Sequence, residues 1–208
     1  MTEPDWLLWA REMQAIAQVG LEFSQNPYDR ERYHSLRALA SRAMAAHGGG
    51  EPARVEALFA AEQGYATPKI DVRGAAFRDG RILLVREVVD GGRWTLPGGW
   101  ADVNLAPSEN IAREVLEESG FVVRARKLAA VWDRGRHGHP PHPFATYKMF
   151  FICEIIGGAP ATSMETSGVG FFGADEIPDD LSHDRVRPAQ IRRMFEHFHH
   201  PDLPTDFD

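Results

Sequence analysis

The sequence predicts an α/β protein in two parts, with a small all-helical N-terminal domain over residues 1–66 and a mixed α/β domain over residues 67–208. Three observations lead to this prediction. Apolar residues recur at spacings of three and four through the first 65 residues, which is the pattern of amphipathic helices. After Gly64, short apolar runs separated by glycine-containing turns predict strands. Two later segments return to helical spacing, so the second part combines strands with helices.

The first predicted helix carries an apolar stripe that contains two tryptophans. A region this short buries little surface by itself, so the stripe is interpreted as core or as a contact between two copies of the chain. We therefore expect a homodimer formed through the N-terminal helices. The stripe consists of Trp6, Trp9, Met13 and Ile16, followed by Val19 or Gly20.

Punctuating residues set the bounds of the next two helices. Asn26–Pro27 should break the first helix, and Asp29 can cap the second. Gly48–Gly50 should end the second helix, and Pro52 suits the first turn of the third.

The second part begins with a predicted hairpin whose turn is Asp79–Gly80. A helix rich in glutamate is expected to start near Pro107 or Ser108 and to stop at Gly120. Later apolar segments predict further strands, and a helix beginning at Pro188 closes the chain. The predicted later strands are FVVRARKLAAVWD, TYKMFFICEII and GVGFF.

Composition restricts the classes of function. The net charge of −7 argues against general nucleic-acid binding. The only cysteine, Cys153, lies in an apolar run and is interpreted as a buried strand residue, so no intrachain disulfide is possible. The acidic N-terminus does not resemble a signal peptide, and no apolar run is long enough to span a membrane. The expected location is cytoplasmic, without membrane contact.

The segment REVLEESG gathers three carboxylates at the end of the predicted helix. Glu114, Glu117 and Glu118 share one helical face because they are spaced by three and four residues. Anions near a helix C-terminus and like charges four residues apart both cost stability. A hard divalent cation would remove this repulsion, and Mg²⁺ prefers oxygen ligands. The alternative interpretation is a solvated acidic helix end.

The spacing around this helix resembles the Nudix box, G-x5-E-x7-R-E-U-x-E-E-x-G-U, where U is a bulky apolar residue. Gly99, the REVLEESG segment and Phe121 match the pattern. The departures are Leu105 at the position of the first glutamate and Asn104 at that of the glycine usually before it. The helical N-terminal part also resembles that of bacterial ADP-ribose or CDP-choline pyrophosphatases.

This resemblance implies a Nudix α/β/α sandwich with a mixed sheet, and hydrolysis of a nucleoside diphosphate linked to another group. It implies that Mg²⁺ or Mn²⁺ is held by Glu114, Glu117, Glu118 and the carbonyl of Gly98. The products would be a nucleoside monophosphate and a phosphorylated second group. The resemblance also implies that Arg113 orients a glutamate, and that a general base lies in a loop before the last strand, where this sequence offers Glu165.

Residues that contact the substrate are harder to identify from the sequence. Cationic, aromatic and imidazole side chains are candidates, although each also has an ordinary structural interpretation. His137, His139 and His142 lie close together, and a zinc site is an alternative there. The substrate-binding candidates are Arg86, Trp94, Arg134, His137 and His139.

Two other functions remain open at this point. A non-catalytic Nudix protein could bind a nucleotide and signal through the helical domain, and Leu105 favours this alternative. A hydrolase acting on RNA ends is disfavoured by the acidic charge balance. The sequence does not select ADP-ribose over CDP-choline, because no motif identifies the residues that would read the base.

Overall fold

The computed structural model describes residues 3–208. Its contacts divide the chain into two compact units. Unit 1 comprises residues 1–68 together with 141–145, and unit 2 comprises residues 69–140 together with 146–208. No helix in the described part of the chain is long and apolar enough to cross a membrane.

Unit 1 contains α1 (Asp5–Phe23), α2 (Pro27–Gly48) and α3 (Pro52–Ala60). The prediction that Asp29 caps α2 is wrong. The side chain of Asn26 is the cap and accepts hydrogen bonds from the backbone nitrogens of Tyr28, at 2.9 Å, and Asp29. Helix α2 therefore begins earlier, because Pro27 has the fixed φ that suits the first helical position.

The core of unit 1 forms where α1 and α2 pack together, with Phe59 of α3 buried against them. Gly20 allows a close approach of these helices, since a Cβ there would lie 2.4 Å from the ring of Tyr33. The segment 141–145 joins this unit through the carbonyl of His142, which accepts a hydrogen bond from Arg11 Nε at 3.0 Å.

Unit 2 is built on a mixed sheet in the order β3-β2-β1-β5-β4-β7, and β6 also pairs with β2. Strand β1 runs parallel to β5 and antiparallel to β2, while β4 and β5 form a long antiparallel pair. The strands are β1 (Lys69–Arg78), β2 (Arg81–Glu87), β3 (Arg93–Thr95), β4 (Phe121–Asp133), β5 (Thr146–Gly158), β6 (Thr166–Phe172) and β7 (Asp206–Phe207).

One helix covers each face of this sheet. Helix α4 (Pro107–Ser119) packs its residues Ile111 and Val115 on one face, and α5 (Pro188–His199) packs on the other. Gly74 of β1 lets α4 lie close to the sheet, because a Cβ there would be 2.8 Å from the side chain of Val115. The helices before the sheet and on its two faces confirm the predicted fold class.

Several predicted local features are confirmed. The turn Asp79–Gly80 joins β1 to β2, β4 covers the same residues as the predicted strand, and Cys153 is buried in β5. The short strand β7 has no counterpart in the prediction. It pairs in parallel with β4 through Asp206 and Phe207.

Candidate active site

Helix α4 is fixed at both ends. The side chain of Glu109 accepts a hydrogen bond from the backbone nitrogen of Ala106 at 2.8 Å, which satisfies a donor at the helix start. At the other end, Gly120 adopts the left-handed conformation with φ 76°, as predicted for a helix stop. The glutamates of α4 therefore project from a well-anchored helix.

The three glutamates of REVLEESG differ in exposure. Glu118 is buried, with 3 % of its surface exposed, and its Oε2 accepts a hydrogen bond from the backbone nitrogen of Gly98 at 2.8 Å. The side chain of Glu114 is 13 % exposed, whereas that of Glu117 is 60 % exposed. The exposure of the three glutamates thus increases along this face, from Glu118 beside the Gly98 loop to Glu117 in solvent.

Burial raises the pKa of Glu118 to about 7. Arg73 and the bond from Gly98 lower this pKa, while the neighbouring carboxylates of Glu87 and Glu114 raise it. Burial also raises the pKa of Glu114, against the opposing effect of Arg113. The neighbouring cations and hydrogen bonds therefore do not fully offset the cost of burying Glu114 and Glu118 as anions.

Arg113 lies beside the outer part of this face. Its guanidinium is 3.5 Å from Glu114 Oε1 and 3.6 Å from Glu117 Oε1, so it can orient either carboxylate. It also forms a hydrogen bond to Asp102, a partner that sequence reasoning missed. This contact connects α4 to the loop that precedes it.

The turn after β3 brings the backbone close to the glutamates. Gly98 has φ 138°, and a Cβ there would lie 2.0 Å from the carbonyl oxygen of Val72, so only glycine fits. The carbonyls of Pro97 and Gly99 accept hydrogen bonds from β1 at 2.9 and 2.8 Å. A Cβ on Gly99 would lie 2.8 Å from Glu114 Oε2, which shows how closely this turn and α4 approach.

The two departures from the Nudix box lie in a loop held by a different residue. Asn104 has φ 65°, a conformation that asparagine tolerates better than most residues and that glycine adopts freely. The buried amide of Asn110 accepts from the backbone nitrogen of Asp102 at 2.8 Å and donates to the carbonyls of Asp102 and Leu105. The loop is thus held without a glutamate at position 105.

A buried group of charges lies on neighbouring strands. Arg73 donates to both oxygens of Asp71 at 2.9 and 2.7 Å and to the carbonyl of Leu96 at 3.1 Å, and Lys148 pairs with Asp71 at 2.5 Å. Burial alone would raise the pKa of Asp71, but Arg73 and Lys148 outweigh it and hold that pKa well below its usual range. Residues 71 and 148 are directly paired between β1 and β5.

Another buried carboxylate, Glu87, ends β2. Its Oε1 is 3.1 Å from Arg185, whereas its Oε2 is buried and has no hydrogen-bond partner among residues 3–208. Burial raises the pKa of Glu87, with opposition from Arg185 and Arg73 and a further increase from Glu165. Glu165 itself is exposed directly before β6, and its carbonyl accepts from the nitrogen of Val88 at 2.8 Å.

The structure gives the five predicted substrate-binding residues structural partners. Arg86 lies over the ring of Trp94 and pairs with Asp180, and Trp94 packs against the core. Arg134 is buried and donates to Asp184 at 2.9 Å, and its role as a substrate contact stays a prediction.

The loop histidines also have separate partners. His137 contacts Asp208 at 2.9 Å and stacks on Trp132. His139 is buried, and its Nδ1 donates to the carbonyl of His183 at 2.8 Å. Nothing in unit 2 brings the rings of His137 and His139 to a common ligand, and within residues 3–208 no three His, Cys, Asp or Glu side chains already converge as a metal centre.

The donor set around Glu118 nevertheless fits a hard cation. Oxygen atoms are available from the carboxylates of Glu114 and Glu118, from the long, exposed side chain of Glu117 and from the backbone of the glycine turn. Mg²⁺ and Mn²⁺ prefer oxygen ligands of this kind. The carbonyl of Gly98, unlike those of its two neighbours, accepts no hydrogen bond in the described part of the chain. This site adjoins the buried charges and Glu87.

Comparisons with known proteins find two matching family profiles and a closely similar bacterial protein. A profile described as a NUDIX domain matches residues 68–194, and one described as a UDP-X-like, N-terminal oligomerisation domain matches residues 4–59. YjhB of Bacillus subtilis (strain 168), named provisionally as an ADP-ribose pyrophosphatase, is 44% identical over 203 residues, which cover 98% of this chain and 97% of that protein.

Two crystal structures are similar to this chain. One is of a UDP-X diphosphatase, with 32% identity, a TM-score of 0.63 and coverage of 100% of both chains. The other is of an ADP-ribose pyrophosphatase from Streptococcus suis 89-1591, with 35% identity and a TM-score of 0.62, and the match covers 68% of this chain and 100% of that one.

Proposed function

The chain belongs to the Nudix family and is a Nudix pyrophosphohydrolase, and from this premise we propose that it hydrolyses an ADP-ribose-type nucleoside diphosphate derivative with the help of Mg²⁺ or Mn²⁺. The observation that carries the proposal is the placement of Glu118. It is a buried carboxylate held against Gly98, with Glu114 and Glu87 as anionic neighbours. Such an arrangement is costly unless a cation joins it.

In this proposal Glu114, Glu117, Glu118 and the Gly98 carbonyl hold the cation. A bound divalent cation would neutralise phosphate charge and make a water molecule more acidic. Glu117 is exposed and can turn towards the cation, and Arg113 steadies it from 3.6 Å. Glu118 is already fixed by Gly98, so its position needs little rearrangement.

The proposed role of Glu165 is to accept a proton from the attacking water. It is exposed at the start of β6 and within electrostatic range of Glu87. The water oxygen forms a bond to one phosphorus while the bridging P–O bond breaks. A nucleoside monophosphate and the phosphorylated second group leave. Glu165 releases the proton it accepted to solvent, and the second proton of the water is lost to solvent when the new phosphate group ionises.

A substrate panel tests this proposal. ADP-ribose, CDP-choline and UDP-linked sugars would each be incubated with the protein and Mg²⁺ or Mn²⁺, and the released nucleoside monophosphate would be measured. We expect the fastest release from ADP-ribose, and no release in excess chelator. Tight nucleotide binding without release from any compound would instead support the sensor function.

We also propose that a second copy covers the outer face of α1. Trp9, Ile16 and Phe23 are 61 %, 49 % and 66 % exposed, and their seven-residue spacing places them along one side of the helix. Together they form an apolar stripe of the kind that marks interaction sites. Light scattering should give a dimer for the wild type and a monomer when all three are replaced by serine or glutamate. A monomeric wild type at micromolar concentration would contradict this assembly.

A further inference from the structure

The substrate in the proposed function brings negative charge to a site already rich in carboxylates, so a cation of the protein must face its phosphates. Most basic side chains near the site already have other partners. Arg73 and Lys148 are buried against Asp71, and Arg113 pairs with Asp102 and the glutamates of α4. Buried cations of this kind can change the electrostatic potential in the site, but a ligand has little access to them.

Arg185 is a different case, because the segment that carries it is paired with β3, the strand that precedes the glycine turn. Leu181 pairs in parallel with Trp94 of β3, so both segments run towards the same end of the sheet. The segment then turns, and the carbonyl of Ser182 accepts hydrogen bonds from the nitrogens of Arg185, at 2.9 Å, and Val186. Arg185 therefore follows a fixed turn rather than a loose loop.

The guanidinium of Arg185 is held by a buried carboxylate. Its Nη2 is 3.1 Å from Glu87 Oε1, and the Glu87 side chain is 5 % exposed whereas that of Arg185 is 27 % exposed. Glu87 also acts electrostatically on Glu118 and is itself affected by Glu165. The pair thus lies within electrostatic range of the proposed cation site, and its cation is more exposed to solvent than its anion.

We infer that Arg185 is the phosphate-binding cation of the active site and that Glu87 is the residue that positions it. The inference rests on the proposed function. A guanidinium has several N–H donors in one plane, so it can keep one on Glu87 and offer others to phosphate oxygens. Glu87, anchored in β2, fixes the direction in which those donors point.

The test compares Arg185→Gln with Arg81→Gln in the full-length protein. Arg81 makes a matched control, because it lies at the opposite end of β2 and pairs with Glu176 at 2.5 Å. For Arg185→Gln we expect KM for the best substrate of the panel to rise about tenfold or more, from loss of a charge-assisted contact. The kcat should change less than about threefold, because such a contact stabilises ground and transition states alike.

Two more measurements distinguish a phosphate-binding role of Arg185 from a purely structural role. The affinity for Mn²⁺ without nucleotide, measured by electron paramagnetic resonance, should stay within about twofold of wild type. Arg185→Lys should recover part of the KM, since it restores a positive charge without the planar donor geometry. Glu87→Gln should raise KM by a smaller factor, because an amide oxygen can still accept from Arg185.

Arg185→Gln leaves the buried carboxylate of Glu87 without its cation, so it could lower stability. The double variant Glu87→Gln/Arg185→Gln removes that unpaired charge and should keep the raised KM. A KM for either variant within twofold of Arg81→Gln would overturn the inference, as would a loss of Mn²⁺ affinity with KM unchanged. A wild type that hydrolyses nothing in the panel would instead remove the proposed function, and the role of Arg185 with it.

Discussion

Replacing Glu118 by glutamine tests the proposed cation site most directly. The side chains have nearly the same shape, and the amide oxygen can still accept the hydrogen bond that Gly98 donates at 2.8 Å. The fold should therefore be kept. If Glu118 holds the cation, the rate of hydrolysis should fall at least about a hundredfold, or roughly 2.7 kcal/mol of transition-state stabilisation.

In the absence of the cation, the same substitution should increase the free energy of unfolding, although it lowers the rate of hydrolysis. Burial raises the pKa of Glu118 from 4.5 to about 7, so the folded protein binds this proton more tightly than the unfolded chain does. The free energy of unfolding should then fall as the pH rises from about 4.5 to 7, and the penalty should be complete above that range. Its upper limit is about 3 kcal/mol.

Glu118→Gln removes this penalty because its amide does not ionise. At pH 8 and in chelator, its Tm should exceed that of wild type by several degrees, at about 2–4 °C per kcal/mol, and at pH 5 the difference should shrink. Added Mg²⁺ should stabilise wild type more than the variant. The control is Glu109→Gln, an exposed residue of the same helix whose amide oxygen can still accept the hydrogen bond from Ala106.

Near-normal turnover by Glu118→Gln would show that Glu118 is not a ligand of the catalytic cation. An unchanged Tm difference between pH 5 and pH 8 would refute the electrostatic reasoning separately. The two measurements therefore test the chemistry and the burial of one carboxylate independently.

Three further substitutions test the supporting structure, each followed by denaturant unfolding. Gly98→Ala should lower the free energy of unfolding by at least about 2 kcal/mol more than Gly80→Ala, since both have positive φ but only Gly98 has a backbone atom, 2.0 Å away, in the place of the Cβ. Equal losses would contradict this. Asn110→Ala should cost about 2–3 kcal/mol and weaken Mn²⁺ binding, because the buried amide holds the loop before α4; unchanged stability would remove that role. Changing Asp206, whose pKa Arg193 and His197 lower to about 2, to asparagine should reduce the free energy of unfolding at pH 7 by about 1 kcal/mol, because solvent screens part of the interaction. That contribution exists above pH 3.8 and disappears as the pH falls through about 2, so a loss that persists in acid would refute it.

Local signals in the sequence predicted much of the fold. Strand β4 was bounded by a glycine before it and a polar turn after it, and Gly120 marked the helix end through its conformational freedom. The spacing of the α4 glutamates predicted which residues share a face, because helical periodicity is a property of neighbouring residues. The predicted N-cap of α2 was wrong because Asn26 and Asp29, two residue types that both cap helices well, lie on either side of Pro27.

Long-range contacts could not be predicted in this way. Lys148 meets Asp71 across 77 residues of sequence, and neither residue stands out locally from an ordinary surface charge. The contact between Glu87 and Arg185 likewise depends on how β2 and the segment after Leu181 come together. Arg134 was a candidate substrate contact, and neither its burial nor its pairing with Asp184, 50 residues away, could be foreseen from neighbouring residues.

The buried charges of Asp71, Arg73 and Lys148 act together to hold the glycine turn in place. Replacing buried ion pairs by apolar residues is often neutral or stabilising, so the charges around Asp71 are not required for stability alone. Arg73 is the connection, since it bonds Asp71 and also donates to the carbonyl of Leu96, two residues before Gly98. The same guanidinium lowers the pKa of Glu118. One buried arginine therefore holds the turn beside the proposed cation site and favours the ionised form of Glu118, which a neutral core residue could not do.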